Sequence, residues 1–262
     1  MKKLIRIISL VPSQTELLVD LGLEENIVGI TKFCVHPTSL KKNKTIVGGT
    51  KNIKLDKIKE LQPDFILCNK EENTKEIVLE CERISKVHVS NIVTIQDTLA
   101  LIELYGKLFS CEENTSQLTR KINLKLTDFN QFIKNKPTLK VAYFIWKKPW
   151  MVAGNETFIN HILQLNKFEN IFKNKNRYPE IELENIKNKD LDLVLLSSEP
   201  YPFKNKDIAE IAKINSEAKI ILVDGEYFSW YGSRLLKAFD YFKELRNSIK
   251  NLIIHFYLTI IL

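Results

Sequence analysis

Cys34-Val35-His36 places a thiol and an imidazole two residues apart, on the same side of an extended segment. Such a pair supplies nitrogen and sulfur ligands that suit a transition ion. The competing reading is a structural thiol beside a loop histidine, because no second Cys/His cluster completes a site, and His161 is equally ambiguous. Asp56 and Glu184 form a second constellation, each in the first turn of an expected helix. A carboxylate there interacts favourably with the helix dipole, by about 0.3–1 kcal/mol; the alternative is a pair of exposed acids that dock onto basic residues of a partner. The third constellation is aromatic. Trp146, Trp150 and Trp230, with Tyr178, Phe228 and Tyr231, fall in or beside expected loops at strand ends. Core packing accounts for any one of these rings, but their shared placement favours a cleft lined with flat apolar faces for a large, rigid, partly apolar ligand. Lys148 and Arg234 would then meet carboxylates or phosphates on it.

Other chemistries lack their residues. There is no G-x-G-x-x-G, no Walker sequence and no G-x-S-x-G among only eight glycines, which argues against nucleotide binding and a serine nucleophile. The 39 Lys plus Arg against 32 Asp plus Glu are spread along the chain rather than clustered as a nucleic-acid footprint requires. With 262 residues, 44% hydrophobic and 27% charged, the composition is that of a soluble folded chain. Cys34, Cys68, Cys81 and Cys111 form no C-x-x-C pair, so free thiols in a reducing compartment are expected. Arg6 interrupts the apolar run after Met1-Lys2-Lys3 and no small-residue cleavage site follows; as written, the chain reads as cytoplasmic. The almost wholly apolar tail, residues 251–262, is far shorter than the ~20 residues of a membrane span. It is read as a docked strand, an interaction tail or a reading-frame artefact.

The elements that must position these residues alternate as in an α/β fold. Strands are expected at Ile7–Val11, Ile27–Phe33, Phe65–Asn69 and Lys86–Ser90, with helices near 55–62, 74–84 and 95–110. Ser13-Gln14-Thr15-Glu16 reads as a capping box. Leu118, Ile122, Leu126, Phe129 and Ile133 lie three or four residues apart in a stretch without strands, so residues 112–138 are expected as one long amphipathic helix of roughly 30 Å. A second series follows at Lys140–Ile145, Asp192–Ser198 and Lys219–Asp224, then a helix near 232–248. Leu55-Asp56-Lys57-Ile58-Lys59 with Asp64-Phe65-Ile66-Leu67 matches Leu183-Glu184-Asn185-Ile186-Lys187 with Asp192-Leu193-Val194-Leu195 at identical spacing. Any junction of an amphipathic helix with an apolar strand has this general pattern, but the identical spacing favours a pseudo-repeat, dividing the chain into an α/β lobe at 1–111, a connecting helix at 112–138 and a second lobe at 139–250.

Arg6-Ile7-Ile8-Ser9-Leu10-Val11-Pro12-Ser13-Gln14-Thr15-Glu16-Leu17, Val28-Gly29-Ile30-Thr31, and Leu55-Asp56-Lys57-Ile58 with Pro63-Asp64-Phe65-Ile66 resemble the substrate-binding proteins of ABC importers for cobalamin, ferric siderophores and haem. The resemblance covers residues 6–248 and implies two α/β lobes joined by one rigid helix, the class III periplasmic-binding-protein-like architecture, with the ligand in a cleft between lobes. It also implies a non-catalytic function without a required cofactor, a bound corrinoid or transition-metal chelate being ligand. The expected partners are that small molecule and an ABC permease with its ATPase; the chain is expected as a monomer that binds no nucleic acid. Cobalamin-binding members look nearest. By that likeness the acids that meet permease arginines fall on Asp56 and Glu184, and ligand positions fall near Phe33, Thr50, Tyr178, Glu226, Ser229 and Trp230. Thr50 replaces an aromatic residue and Trp230 a charged one, so the ligand need not be cobalamin itself. The family works outside the inner membrane, in the periplasm or at the cell surface, in conflict with the cytoplasmic reading. A cytosolic metal- or corrinoid-handling enzyme or chaperone, with Cys34 and His36 as ligands, is the alternative.

Overall fold

The computed structural model describes residues 4–187 and 189–260, with residues 250–260 described by backbone only. β1 (Ile7–Ser9) leads to α1 (Pro12–Asp20), β2 (Ile27–Ile30), α2 (Leu40–Asn43), β3 (Thr45–Ile46), α3 (Leu55–Glu60), β4 (Phe65–Asn69), α4 (Lys75–Glu82), β5 (Lys86–Ser90) and α5 (Ile95–Phe109). α6 (Glu112–Ile133) comes next. It is followed by β6 (Leu139–Trp146), β7 (Met151–Val152), α7 (Phe158–Leu165), β8 (Phe168–Asn170), β9 (Leu193–Ser197), α8 (Asn205–Ala212), β10 (Lys219–Val223), α9 (Gly225–Ser229) and α10 (Leu235–Ile260). The expected strand at Ile27–Phe33 is shorter, because Cys34 N bonds back to the Thr31 carbonyl and turns the chain.

Two compact units result. The first runs to Asn123 and also takes in Trp230–Leu235; the second is Leu124–Ser229 with Leu236 onward. The division therefore falls inside α6 rather than at its ends, and six residues beyond the expected second-lobe start belong with the first unit.

In the first unit the sheet order is β3-β2-β1-β4-β5, parallel throughout. In the second, β10, β9 and β6 lie side by side in parallel. There β8 pairs in parallel with the start of β6, and β7 antiparallel with its end. The sequence echo is structural. Arg6 N donates to Asp64 Oδ2 at 2.8 Å and Lys140 N to Asp192 Oδ2 at 2.6 Å, while each aspartate N–H returns a bond to the Arg6 or Lys140 carbonyl. These paired bonds start β1 beside β4 and β6 beside β9 in the same register.

α6 buries Leu118, Ile122, Phe129 and Ile133 of the expected stripe, with Leu126 half-buried. It ends at Ile133, short of the expected 138, because Lys136 N closes a turn on the Ile133 carbonyl ahead of Pro137. The Phe129 ring meets Phe239 and Phe242 of α10 at 5.6 and 6.1 Å, with Lys125–Asp240 at 2.7 Å and Lys243–Asp128 flanking it. The α10 backbone continues to Ile260, so most of the apolar tail extends this helix instead of forming a strand; its side chains and residues 261–262 lie outside the described residues.

The capping box is a correction. α1 starts at Pro12 after Val11, with no side-chain cap, because Ser13 and Glu16 are buried and engaged with partners distant in sequence. Pro12 suits the first helical position, where its missing N–H costs nothing.

Phe129→Ala should cost about 3–5 kcal/mol in urea unfolding, whereas Lys125→Ala at the exposed pair should cost less than about 1 kcal/mol. Equal losses would contradict the apolar seam between α6 and α10 as the source of stability.

Candidate ligand-binding site

Parallel sheets present ligands with the loops at their strand carboxyl ends, and the exposed aromatic rings lie there. In the first unit Phe33, just past β2, is 49% exposed with the Lys32 ammonium 5.0 Å from its ring centre. Thr50 follows β3; it is buried and its carbonyl accepts from Asn73 Nδ2 at 3.0 Å. In the second unit Trp146 ends β6, 38% exposed, with Tyr201 edge-on at 5.8 Å. Glu226 and Ser229 lie on α9, after β10; Ser229 Oγ donates to Glu199 Oε1 at 2.7 Å, and Glu226 N to Asp224 Oδ1 at 3.0 Å. Tyr178 is half-buried on a segment that bridges back to β7 and its neighbours at Met151–Glu180 and Asn155–Asn176. Gly154 permits that approach, since a Cβ there would stand 2.1 Å from the Lys175 carbonyl oxygen.

Other aromatics expected at the site are packed inside. Phe228 is fully buried against Tyr143 and Phe242, both at 5.0 Å. Trp150, half-buried, stacks on Phe203 and meets Phe144 at 5.6 Å, packed against the core of the second unit. Trp230, Tyr231 and Arg234 are each at most 7% exposed and belong to the first unit. There Gln14 Nε2 donates to the Tyr231 hydroxyl at 2.8 Å and to Ser90 Oγ at 2.6 Å, and accepts at Oε1 from the Tyr105 hydroxyl at 2.6 Å. Arg234 Nε donates to Glu16 Oε2 at 2.9 Å, with both side chains buried, and the guanidinium lies 5.0 Å from the Trp230 ring centre. Lys148, by contrast, is exposed just beyond β6.

Cys34 and His36 diverge chemically. Cys34 Sγ is buried 3.1 Å from Thr15 Oγ1 and 3.3 Å from Thr31 Oγ1. Burial pushes its thiol up, away from the thiolate that ligates metals. The His36 ring is edge-on to Trp230 at 5.4 Å. Among the described residues no group of three or more His, Cys, Asp and Glu is arranged to hold a metal ion.

Asp56 lies in the first turn of α3 and Glu184 in the 3₁₀ turn Leu183–Ile186; both are exposed. Each precedes the amino end of its strand, β4 or β9, and so occupies the opposite end of the sheet from the exposed rings. Beside Glu184 is an open hollow of about 750 Å³, with Lys140, Lys173, Lys175, Lys189, Glu169 and Asp190 among its walls.

Comparison with known proteins gives a consistent picture. Residues 7–216 match the model of a family described as periplasmic binding protein. The uncharacterized ABC transporter substrate-binding lipoprotein YvrC of Bacillus subtilis is 26% identical over 168 residues, 61% of this chain and 53% of that protein. The vitamin B12-binding protein of Pectobacterium carotovorum is 24% identical over 244 residues, 89% of this chain and 85% of its own length. A solved structure described as a possible iron-binding (periplasmic solute-binding) protein from Staphylococcus epidermidis superposes with a TM-score of 0.77 at 25% identity, covering 93% of this chain and 98% of that one.

Sequence reasoning missed Gln14 and Glu16 as buried polar anchors, since the partners Tyr231 and Arg234 are more than two hundred residues away and no local pattern links them. It also missed Glu199, whose only signal is its position just past β9. Glu16→Ala would leave Arg234 buried without its carboxylate and should cost about 3–5 kcal/mol. Burial raises the Glu16 carboxyl above its ordinary 4.5, opposed by Arg234. The folded state therefore keeps that proton to higher pH than the unfolded chain, and this group's contribution to stability falls as pH rises through that window. Glu16→Gln should remove this part of the pH dependence in urea titrations between pH 4 and 7; an unchanged profile would refute the assignment.

Proposed function

Because the chain belongs to the periplasmic binding protein family, we propose that it is the ligand-binding component of an ABC-type importer for a corrinoid, ferric siderophore or similar metal chelate. It is a binding protein and not an enzyme, as its relatives are. The observation that carries the reading is the pair of exposed rings, Phe33 and Trp146, at the carboxyl ends of β2 and β6. Leaving such rings in water is unfavourable unless an apolar ligand covers them. Thr50, Tyr178, Glu199, Glu226 and Ser229 are the accompanying candidates for orienting polar groups on that ligand. Trp230, Tyr231, Phe228, Trp150 and Arg234 act behind them, as packing. The ligand class follows the vitamin B12-binding and iron-binding descriptions of the relatives.

Asp56 and Glu184 are proposed to dock onto basic residues of a permease that works with an ATPase, the chain acting as a monomer without nucleic acid. Action outside the inner membrane follows the lipoprotein and periplasmic descriptions of the relatives. The cytosolic metal-handling alternative loses its main support with the enclosed, protonated Cys34 thiol.

A thermal-shift panel of cyanocobalamin, haem and ferric hydroxamates should contain a stabilising ligand. A ligand at 100 times its Kd adds about 2.7 kcal/mol to stability, and Trp146→Ala should weaken that ligand about tenfold or more. A panel without any shift near millimolar concentration would count heavily against the reading. Asp56→Ala with Glu184→Ala should abolish uptake by the importer while leaving ligand affinity unchanged; lost affinity instead would place these acids at the ligand.

A further inference from the structure

Lys147 directly follows the exposed Trp146 ring, yet its ammonium turns inward. Its side chain is 11% exposed, and Nζ donates to Asp207 Oδ1 at 2.7 Å and to Glu210 Oε2 at 2.5 Å, both on α8. Asp207 is fully buried. Its other carboxylate oxygen accepts from Lys204 N at 2.9 Å, so one side chain caps the start of α8 and grips Lys147. Burial opposes both charges, but the bonds between them prevail: the ammonium is held above its ordinary 10.5 and the Asp207 carboxyl below its ordinary 3.8. Because a buried ion pair adds little stability over well-packed apolar residues, the informative feature is what this one holds in place. That is the four-residue turn between β6 and β7. Lys148 lies in it at φ +67°, a left-handed backbone that side chains disfavour and that persists only where its surroundings hold it. The holding contacts form a closed circuit within the second unit. The Lys147 ammonium is 5.1 Å from the Trp150 ring centre, Trp150 stacks on Phe203 at 6.0 Å, Phe203 meets Tyr201 at 4.7 Å, and Tyr201 is edge-on to Trp146 at 5.8 Å.

We propose that Lys147 is a positioning residue, whose ammonium, anchored on α8, holds the Trp146 ring in the attitude that the ligand meets. With its charge turned away from the ring's open face, Lys147 acts through its neighbour. A ring fixed beforehand has less freedom to lose when the ligand covers it, so the anchor raises affinity by preorganisation. The inference rests on the reading of Trp146 as a ligand contact, but the state of the ring in the ligand-free protein reports on the anchor separately.

Acrylamide quenching and near-ultraviolet circular dichroism of the ligand-free, full-length chain, each taken as the difference on adding Trp146→Phe, isolate the Trp146 ring. In Lys147→Met its quenching should rise toward that of a freely turning indole and its dichroism should fall. Lys147→Met leaves the Asp207 carboxylate buried without its cation, so Lys147→Met combined with Asp207→Asn, which keeps an acceptor for Lys204 N, is measured beside it and should show the same loosening. Affinity for whichever of cyanocobalamin, haem and a ferric hydroxamate the wild type binds should fall about five- to tenfold in both variants, the worth of ordering one side chain. Phe129→Ala, which weakens the same unit through the α6–α10 seam, should leave the Trp146 signals and the affinity unchanged. Wild-type Trp146 signals in the double variant overturn the proposal, and so does an equal change in Phe129→Ala, which would make the effect one of general stability. If Trp146→Ala binds weakly while both Lys147 variants bind normally, the anchor is refuted. If Trp146→Ala itself binds like the wild type, or none of the three probes binds, the ligand reading fails instead, and the ligand-free signals still decide whether Lys147 holds the ring.

Discussion

The first unit depends on a return of the chain. Six residues from late in the sequence, Trp230–Leu235, lie on α1, where they satisfy groups that helix could not bury alone. Gln14 has its amide and carbonyl ends both occupied, by Tyr231, Ser90 and Tyr105. Glu16 is neutralised by Arg234. Removing any partner would strand a polar group in an apolar setting, at a cost of about 1–3 kcal/mol or more for a charge. Gly232, at φ +91°, lets the returning backbone pass Leu17, where a Cβ would stand at 3.3 Å.

Within that constraint, the two sheets are variations on one plan. The Arg6–Asp64 and Lys140–Asp192 exchanges set the strand register at the amino ends, leaving the carboxyl ends to diverge. The first unit has the Lys32 ammonium over Phe33 there; the second has Trp146 braced by Tyr201, with acids at Glu199 and Glu226 beyond. A shared scaffold with differing strand ends is how one fold takes different ligands.

Much of this was legible where the physics is local. Strand alternation, the Asp64 and Asp192 echo, and the stripe of α6 are written in periodicity and spacing; Trp146 emerges exposed at a strand end where residue type and position put it, and Phe33 is exposed at a position that only the family likeness indicated. The rest is decided by distant partners. Ser13-Gln14-Thr15-Glu16 fits a capping box, yet burial against Tyr231 and Arg234 outweighs the local cap. Phe228 and Trp230 follow a strand and resemble loop aromatics, but their rings complete cores whose other halves come from distant parts of the chain. β3, β7 and β8, two or three residues each, are too short for any periodicity to show.

The placement of Trp230–Leu235 also sets a timetable. A ribosome that has finished residue 123 has made nearly all of the first unit but not the piece that closes it, and at typical elongation rates of about 5–20 residues per second the missing piece arrives on the order of 10 s later. Until then Gln14 lacks Tyr231 and Glu16 lacks Arg234, although Ser90 and Tyr105 are already made. The clasp on α1 therefore cannot close until residue 235 has been made, so the first unit is completed by the chain's later half rather than by its own sequence.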